Sequence, residues 1–292
     1  MMLCSRRRMR RTRRPSAGDT DDPPAKKRAV RTMSITQKGD VHVSTDGHVT
    51  VLEIRRPPNN FFDLDLIRDL SSLVEALDED SDCRAILLAS EGKAFCAGAD
   101  FQRRPAELAG AVEDRNPLYS EAVRLFHNRK PIVAAVQGPA IGGGLGLSLV
   151  ADFRVAAPEA RFGANFVKLG IHPGFGLTHT LPRVIGVQKA QWMFMTGRRL
   201  TGEEAAAVGL VDLLVPAGRL RAEAMALAQE IAEGAPLAVQ STRATLRRGL
   251  ADAVQAQTDH EFVEQKWLAR TEDHREGIRA VAERRPGRFV AR

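Results

Sequence analysis

Apolar and polar residues alternate from Val41 to Ile54 on either side of Asp46-Gly47, which predicts two strands joined by a tight hairpin. Pro57-Pro58-Asn59-Asn60 then breaks the second strand. From Leu64 the period lengthens, with Leu64, Ile67, Leu70, Leu73, Val74 and Leu77 recurring at helical spacing. Two uninterrupted apolar runs, Ala85–Ala89 and Ile132–Val136, read as buried strands. Between them a helix is predicted from about Leu118 to Asn128, stopping before Lys130-Pro131. Shorter strand-like runs follow at Asp152–Ala156 and Gly209–Val215. Strand, helix, strand, helix, strand in this order implies stacked β-α turns around a largely parallel sheet.

The pattern changes at Thr201-Gly-Glu-Glu204, which has the spacing of a capping box at a helix start. Helical periodicity then covers 218–233, 236–249, 251–270 and 274–284, and no strand signal follows Val215. Residues 101–117 are polar and irregular and read as a loop.

The most informative segments are two turns rich in small residues. The run Ile86–Ser90 leads into Gly92-Lys-Ala-Phe-Cys-Ala-Gly-Ala-Asp100, and Ile132–Val136 leads into Gly138-Pro-Ala-Ile-Gly-Gly-Gly144. Small residues let backbone amides approach a ligand closely. Two converging N–H donors form an oxyanion hole, which stabilises charge developing on a carbonyl oxygen. The bland alternative for Gly142-Gly143-Gly144 is tight packing of a helix on a sheet. Among other site types, the sequence has no phosphate-binding P-loop, no G-x-G-x-x-G after a strand and no G-x-S-x-G elbow. Its seven His and three Cys show no metal-ligand spacing, so no metal is expected.

These turns, with Gly170-Ile-His-Pro-Gly-Phe-Gly176, Leu181-Pro-Arg183, Thr196-Gly-Arg-Arg and Ala207-Val-Gly-Leu210-Val211-Asp, resemble the crotonase (enoyl-CoA hydratase/isomerase) superfamily over roughly residues 40–290. The resemblance implies an α/β fold, a crotonase-like core of stacked β-β-α turns with a C-terminal helical region that assembles a trimer or hexamer. It divides the chain into a basic extension (1–33), an acyl-CoA-binding core (34–200) and a helical region (201–292). The implied oxyanion donors are the amides of Ala99 and Gly143, with Ala97 and Gly142 beside them. Coenzyme A enters as part of the substrate, with no other cofactor.

The resemblance also places the two hydratase glutamates at positions that here hold Gly146 and Phe166, neither of which can carry a proton. Hydration is therefore not the expected reaction. Isomerisation, C–C cleavage (lyase chemistry) or hydrolysis by a relocated base is expected instead, in lipid or related acyl-CoA metabolism. The alternative is a non-catalytic acyl-CoA carrier or sensor, with Phe166 packing on the acyl chain. Candidate replacement bases are His172, whose imidazole titrates near neutral pH, and Glu121; Asp63 and His127 are weaker candidates. Asp100 reads as a helix cap and Cys96 as a buried thiol. Arg103, beside Arg104, and Arg284 are candidates for the CoA phosphates.

Composition narrows the remaining classes. The chain has 292 residues, 43% of them hydrophobic, enough for a substantial core. The net charge of +7 suggests nucleic acid, but residues 1–33 hold eleven Lys/Arg against three Asp, while the remainder holds 32 against 33 Asp/Glu. The charge belongs to the tail, which reads as a disordered extension, and nucleic acid is not the expected partner. No apolar run reaches the roughly 20 residues that span a membrane. The odd, scattered cysteines (Cys4, Cys83, Cys96) argue against a disulfide framework and fit a reducing cytoplasm. Deleting residues 1–32 is expected to leave oligomeric state, melting temperature and acyl-CoA affinity unchanged. Loss of a salt-sensitive nucleic-acid affinity on deletion would show that the tail has a function.

Overall fold

The computed structural model describes residues 36–99 and 116–292. The basic extension, most of the 101–117 loop, Asp100, Arg103 and Arg104 lie outside the described residues. The hairpin forms as the alternation predicts. Strand β2 (Val41–Asp46) pairs antiparallel with β3 (Val49–Ile54), from Val41 opposite Ile54 to Asp46 opposite Val49. A short β1 (Gln37–Lys38) lies on its outer edge. Helix α1 (Leu64–Glu79) crosses from β3 to β4 (Ala85–Ser90), and α2 (Pro117–Phe126) precedes β5 (Ile132–Val136). With β7 (Phe153–Ala156) and β10 (Leu213–Leu214), these strands complete a seven-stranded sheet in the order β1-β2-β3-β4-β5-β7-β10. From β3 to β10 every pairing is parallel.

Alternation survives inside the apolar runs, and it sorts the sheet into two unlike faces. Ile86, Leu88 and Ile132 point with Leu52 and Ile54 into a large core covered by Leu66, Ile67, Leu70, Leu73 and Val74 of α1 and Leu125 of α2. Ala85, Leu87, Ala89, Val133 and Ala135 point the other way and meet α7 (Leu220–Glu233) through Leu220, Ala224, Ala228 and Ala232. Alanine at every fourth residue gives α7 a smooth stripe on which the strands pack closely. Residues beyond 200 therefore take part in the sheet, through β10 and the α7 cover.

The sequence pattern misses a second, three-stranded sheet of β6 (Pro139–Ile141), β8 (Arg161–Gly163) and β9 (Arg199–Thr201). Strands of three residues are too short to show alternation. Of the predicted run Gly209–Val215, only Leu213–Leu214 pairs as strand, because Gly209 takes a left-handed turn (φ +79). Between β5 and β7 lies a short α3 (Gly143–Ser148). Helices α4 (Leu177–Ile185) and α5 (Val187–Thr196) escape sequence detection, the first because Pro182 interrupts its pattern. Both halves of the predicted capping box form at α6 (Gly202–Ala207). The C-terminal helices α8 (Pro236–Leu246), α9 (Leu250–Leu268) and α10 (Glu272–Ala282) follow the predicted spans to within a few residues.

A buried ion cluster ties α8 to the sheet. Asp152 accepts from the Ile132 amide (2.9 Å), Arg243 Nε (2.8 Å) and Arg247 Nη1 (2.9 Å). Arg243 also donates to the Asn128 side chain at 2.8 Å. Burial, then the neighbouring Arg243 charge, pulls the Arg247 pKa below its ordinary value. Removing the carboxylate leaves two like charges facing each other away from water. Asp152→Ala is expected to lower unfolding free energy by about 3–5 kcal/mol, read by urea denaturation.

Candidate functional site

The two small-residue turns are held edge to edge by backbone pairing. Cys96 N donates to Pro139 O and Ile141 N donates to Cys96 O, both at 3.0 Å, a parallel bridge between Cys96 and Ala140. The approach leaves no room for side chains between them: a Cβ on Gly144 would stand 2.0 Å from Cys96 O. The buried Asn60 amide stitches the first turn to the preceding break, donating to Glu91 O (2.8 Å) and Ala94 O (2.7 Å). Gln137 Nε2 reaches Ala94 O from the second turn at 3.0 Å.

This arrangement fixes the direction of two amides. Gly98, at φ +91, turns its carbonyl onto the Phe62 amide at 3.0 Å. In a trans peptide the next N–H points the opposite way, so the Ala99 amide is aimed away from Phe62. Gly142, at φ +56, gives its carbonyl to the amides of Leu145 (3.0 Å) and Gly146 (3.2 Å). The same rule turns the Gly143 N–H outward from α3, where the first helical amides have no partner in the helix. Among the described residues neither the Ala99 nor the Gly143 amide has an acceptor. Two such donors, fixed before any ligand arrives, suit a carbonyl oxygen that gains negative charge.

Aromatic rings enclose these turns. Phe62 lies against Gly143, where a Cβ would stand 2.3 Å from its Cζ. Phe166, buried in a 3-10 turn over Asn165–Leu169, sits 3.5 Å from the Cβ position of Gly142. Phe175 packs on Gly146 and on Phe62, with ring centroids of the two phenylalanines 5.6 Å apart. Phe62 and Phe175 carry no chemistry that marks them in the sequence. Their role is legible only from the glycines they cover.

The remaining candidates are held by other partners. The Glu121 carboxylate is held by Arg124 and by Arg68 (3.6 Å), and among the described residues no hydrogen bond or ion pair joins it to either turn. His172 Nδ1 lies 2.9 Å from Pro173 O, and its ring meets His260 of α9 edge-on at 6.0 Å. Asp63 caps α1, accepting from the Leu66 amide at 2.9 Å, and pairs with Arg56 at 2.8 Å. His127 is the C-terminal cap residue of α2. Arg284 follows α10 with φ +54 and is exposed. Ala97 donates to Asn59 O at 2.9 Å and so braces the first turn. Among the described residues no group of His, Cys, Asp or Glu could hold a metal, and no helix is long and apolar enough to cross a membrane.

A carboxylate that the sequence did not single out, Glu261 on α9, is fully buried. It accepts from Gly176 N (2.8 Å), Thr178 N (3.0 Å) and Thr178 Oγ1 (2.6 Å) at the start of α4. Burial raises its pKa although these donors favour the charged form.

The family model for enoyl-CoA hydratase/isomerase matches residues 44–292. An enoyl-CoA isomerase/hydratase of Zymoseptoria tritici is 37% identical over 270 residues, covering 84% of this chain and 85% of that protein. A 2,3-dehydroadipyl-CoA hydratase of Escherichia coli K12 is 34% identical over 252 residues, covering 86% and 98% respectively. The crystal structure of an enoyl-CoA hydratase/isomerase from Pseudoalteromonas atlantica superposes with a TM-score of 0.77 at 30% identity, over 86% of this chain and 100% of that one.

Cys96 lies inside the first turn, and complete burial pushes its thiol up to about 12. At pH 8 about one Cys96 in ten thousand is then thiolate, the reactive form. Iodoacetamide is expected to leave Cys96 unmodified in the folded protein and to label it in urea, as read by peptide mass spectrometry. Rapid native labelling would show that the paired turns open.

Proposed function

Because this chain belongs to the enoyl-CoA hydratase/isomerase (crotonase) family, we propose that it binds acyl-CoA thioesters and stabilises an enolate-like oxyanion through the Ala99 and Gly143 amides. The observation that carries the reading is the pairing of Cys96 with Ala140, which leaves both amides without an acceptor on adjoining turns. Arg284 and Arg103 are the proposed contacts for the CoA phosphates. The proposed setting is cytoplasmic lipid or related acyl-CoA metabolism, with no cofactor beyond the CoA of the substrate. Leu237, Leu246, Val263 and Trp267 are exposed apolar residues on the C-terminal helices, and assembly into a trimer or hexamer would cover such surface.

The proposed reaction is not ordinary hydration. By the resemblance, Gly146 and Phe166 stand where hydratases carry glutamates, and the surroundings support the loss of both. Gly146 faces Phe175 and Gly142 faces Phe166, so the site beside the amides is apolar rather than equipped to move protons. An isomerase, lyase or hydrolase with a base elsewhere fits, and His172 and Glu121 remain the candidates to mutate first. The buried Phe166 ring beside Gly142 favours a second reading, an acyl-CoA carrier without turnover.

Three measurements separate these outcomes. General acid–base groups contribute about 10²–10⁴-fold each, so crotonyl-CoA hydration is expected to be barely detectable with purified protein. Rapid hydration would overturn the proposed loss of the carboxylates. Calorimetry against an acyl-CoA panel is expected to show binding that weakens in Gly143→Val, whose side chain must displace Phe62. Mass spectrometry of the same mixtures then distinguishes an enzyme, which yields a product, from a carrier, which yields none.

A further inference from the structure

Gly146 sits inside α3, where glycine is a poor choice on helix propensity alone. The reason for it is spatial. A Cβ at this position would stand 2.7 Å from Phe175 Cδ1 and 2.9 Å from both Phe175 Cβ and Cγ. The obstruction reaches the Phe175 Cβ itself, so rotating the ring about its side chain would not remove it. Phe175 has φ +66, the left-handed region that a bulky residue rarely enters, and it is 1% exposed. Gly176 follows at φ +69.

This unfavourable backbone is held by Glu261. All three of its hydrogen bonds come from Gly176 and Thr178, immediately after Phe175. A fully buried carboxylate persists only when such donors surround it. Glu261 therefore positions the turn, and the turn positions the ring. The ring lies 3.6 Å from the Cβ position of Gly143, next to the proposed oxyanion donor.

We infer that Phe175 is the specificity-determining residue of the acyl pocket, closing the space over Gly146 so that the pocket takes compact, apolar acyl groups. This deepens the acyl-CoA reading above and rests on it. With Phe62 and Phe166 on the neighbouring glycines, the three described rings offer no hydrogen-bonding partner to a charged or hydroxylated acyl chain, which would lose its hydration against them. It also leaves a carboxylate at position 146 without room.

The test has one arm that needs no ligand. Gly146→Ala is expected to lower the urea midpoint in the wild-type background and to raise it in a Phe175→Gly background, where Cβ, ring and backbone strain are gone together. Equal shifts in the two backgrounds would overturn the packing pair. In the second arm, calorimetry compares acetyl-, butyryl-, octanoyl- and benzoyl-CoA. Phe175→Gly is expected to shift preference toward the bulkier groups by about tenfold or more, the scale set by added methylenes in an apolar pocket. Glu261→Gln should move preference in the same direction, whereas a general loss of stability would weaken all four alike. An unchanged preference in Phe175→Gly would overturn the specificity role. Failure of the wild type to bind any acyl-CoA would remove the functional reading and this role with it, while the stability arm would still decide the packing claim.

Discussion

The candidate site depends on one backbone contact, the pairing of Cys96 with Ala140 that brings two glycine-containing turns from separate strands side by side. Each turn alone offers a single free amide, which water solvates as well as any ligand does. Joined, they hold the Ala99 and Gly143 donors in fixed directions, so no reorganisation is needed when charge appears on a carbonyl oxygen. The contact is possible only because Gly144 brings no Cβ against the Cys96 carbonyl. It also explains the burial of the thiol: Cys96 is enclosed because its own backbone forms the joint.

The scaffold serves this joint by being rigid on both sides. Strands β4 and β5 leave the sheet as parallel neighbours, and both turns grow from their C-terminal ends. Large side chains on one sheet face pack beneath α1 and α2, while the alanine stripe of α7 seals the other. Several polar groups buried in this frame are paired across elements. Asp152 binds two arginines across the base of α8, and Arg154 is satisfied by the Leu210 and Ala151 carbonyls and by Asp212. Such groups specify how helices dock rather than adding much net stability, because desolvation offsets much of their attraction.

Around the amides the environment is aromatic. Phe62, Phe166 and Phe175 lie over the glycines of the second turn, and an apolar surround strengthens whatever hydrogen bonds the donors make. The candidate carboxylates are engaged by other partners, Asp63 by the Leu66 amide and Arg56. Glu121 is engaged with arginines and Glu261 with the start of α4. On the proposed reading, oxyanion stabilisation and proton transfer are separable functions, and the Ala99 and Gly143 amides are the groups proposed for the first.

Much of the fold was legible in sequence because it follows local rules. Alternation about Asp46-Gly47 set the hairpin, helical spacing set α1, and the Thr201-Glu204 pair set the start of α6. The two turns were legible as well, since glycine at close approach leaves a mark in composition. Three-residue strands and the Pro182-containing helix carry too few residues for a period to show. The lining of the site was hidden for a different reason. Nothing in the neighbourhood of Phe175 in the chain tells that its ring fills the space over Gly146, or that Glu261, 86 residues later in the numbering, holds it there. The sequence by itself determined the elements and the small-residue turns, because propensity and steric allowance are properties of neighbouring residues. Tertiary structure alone decided which side chain occupies which volume, because packing joins residues that the chain keeps far apart.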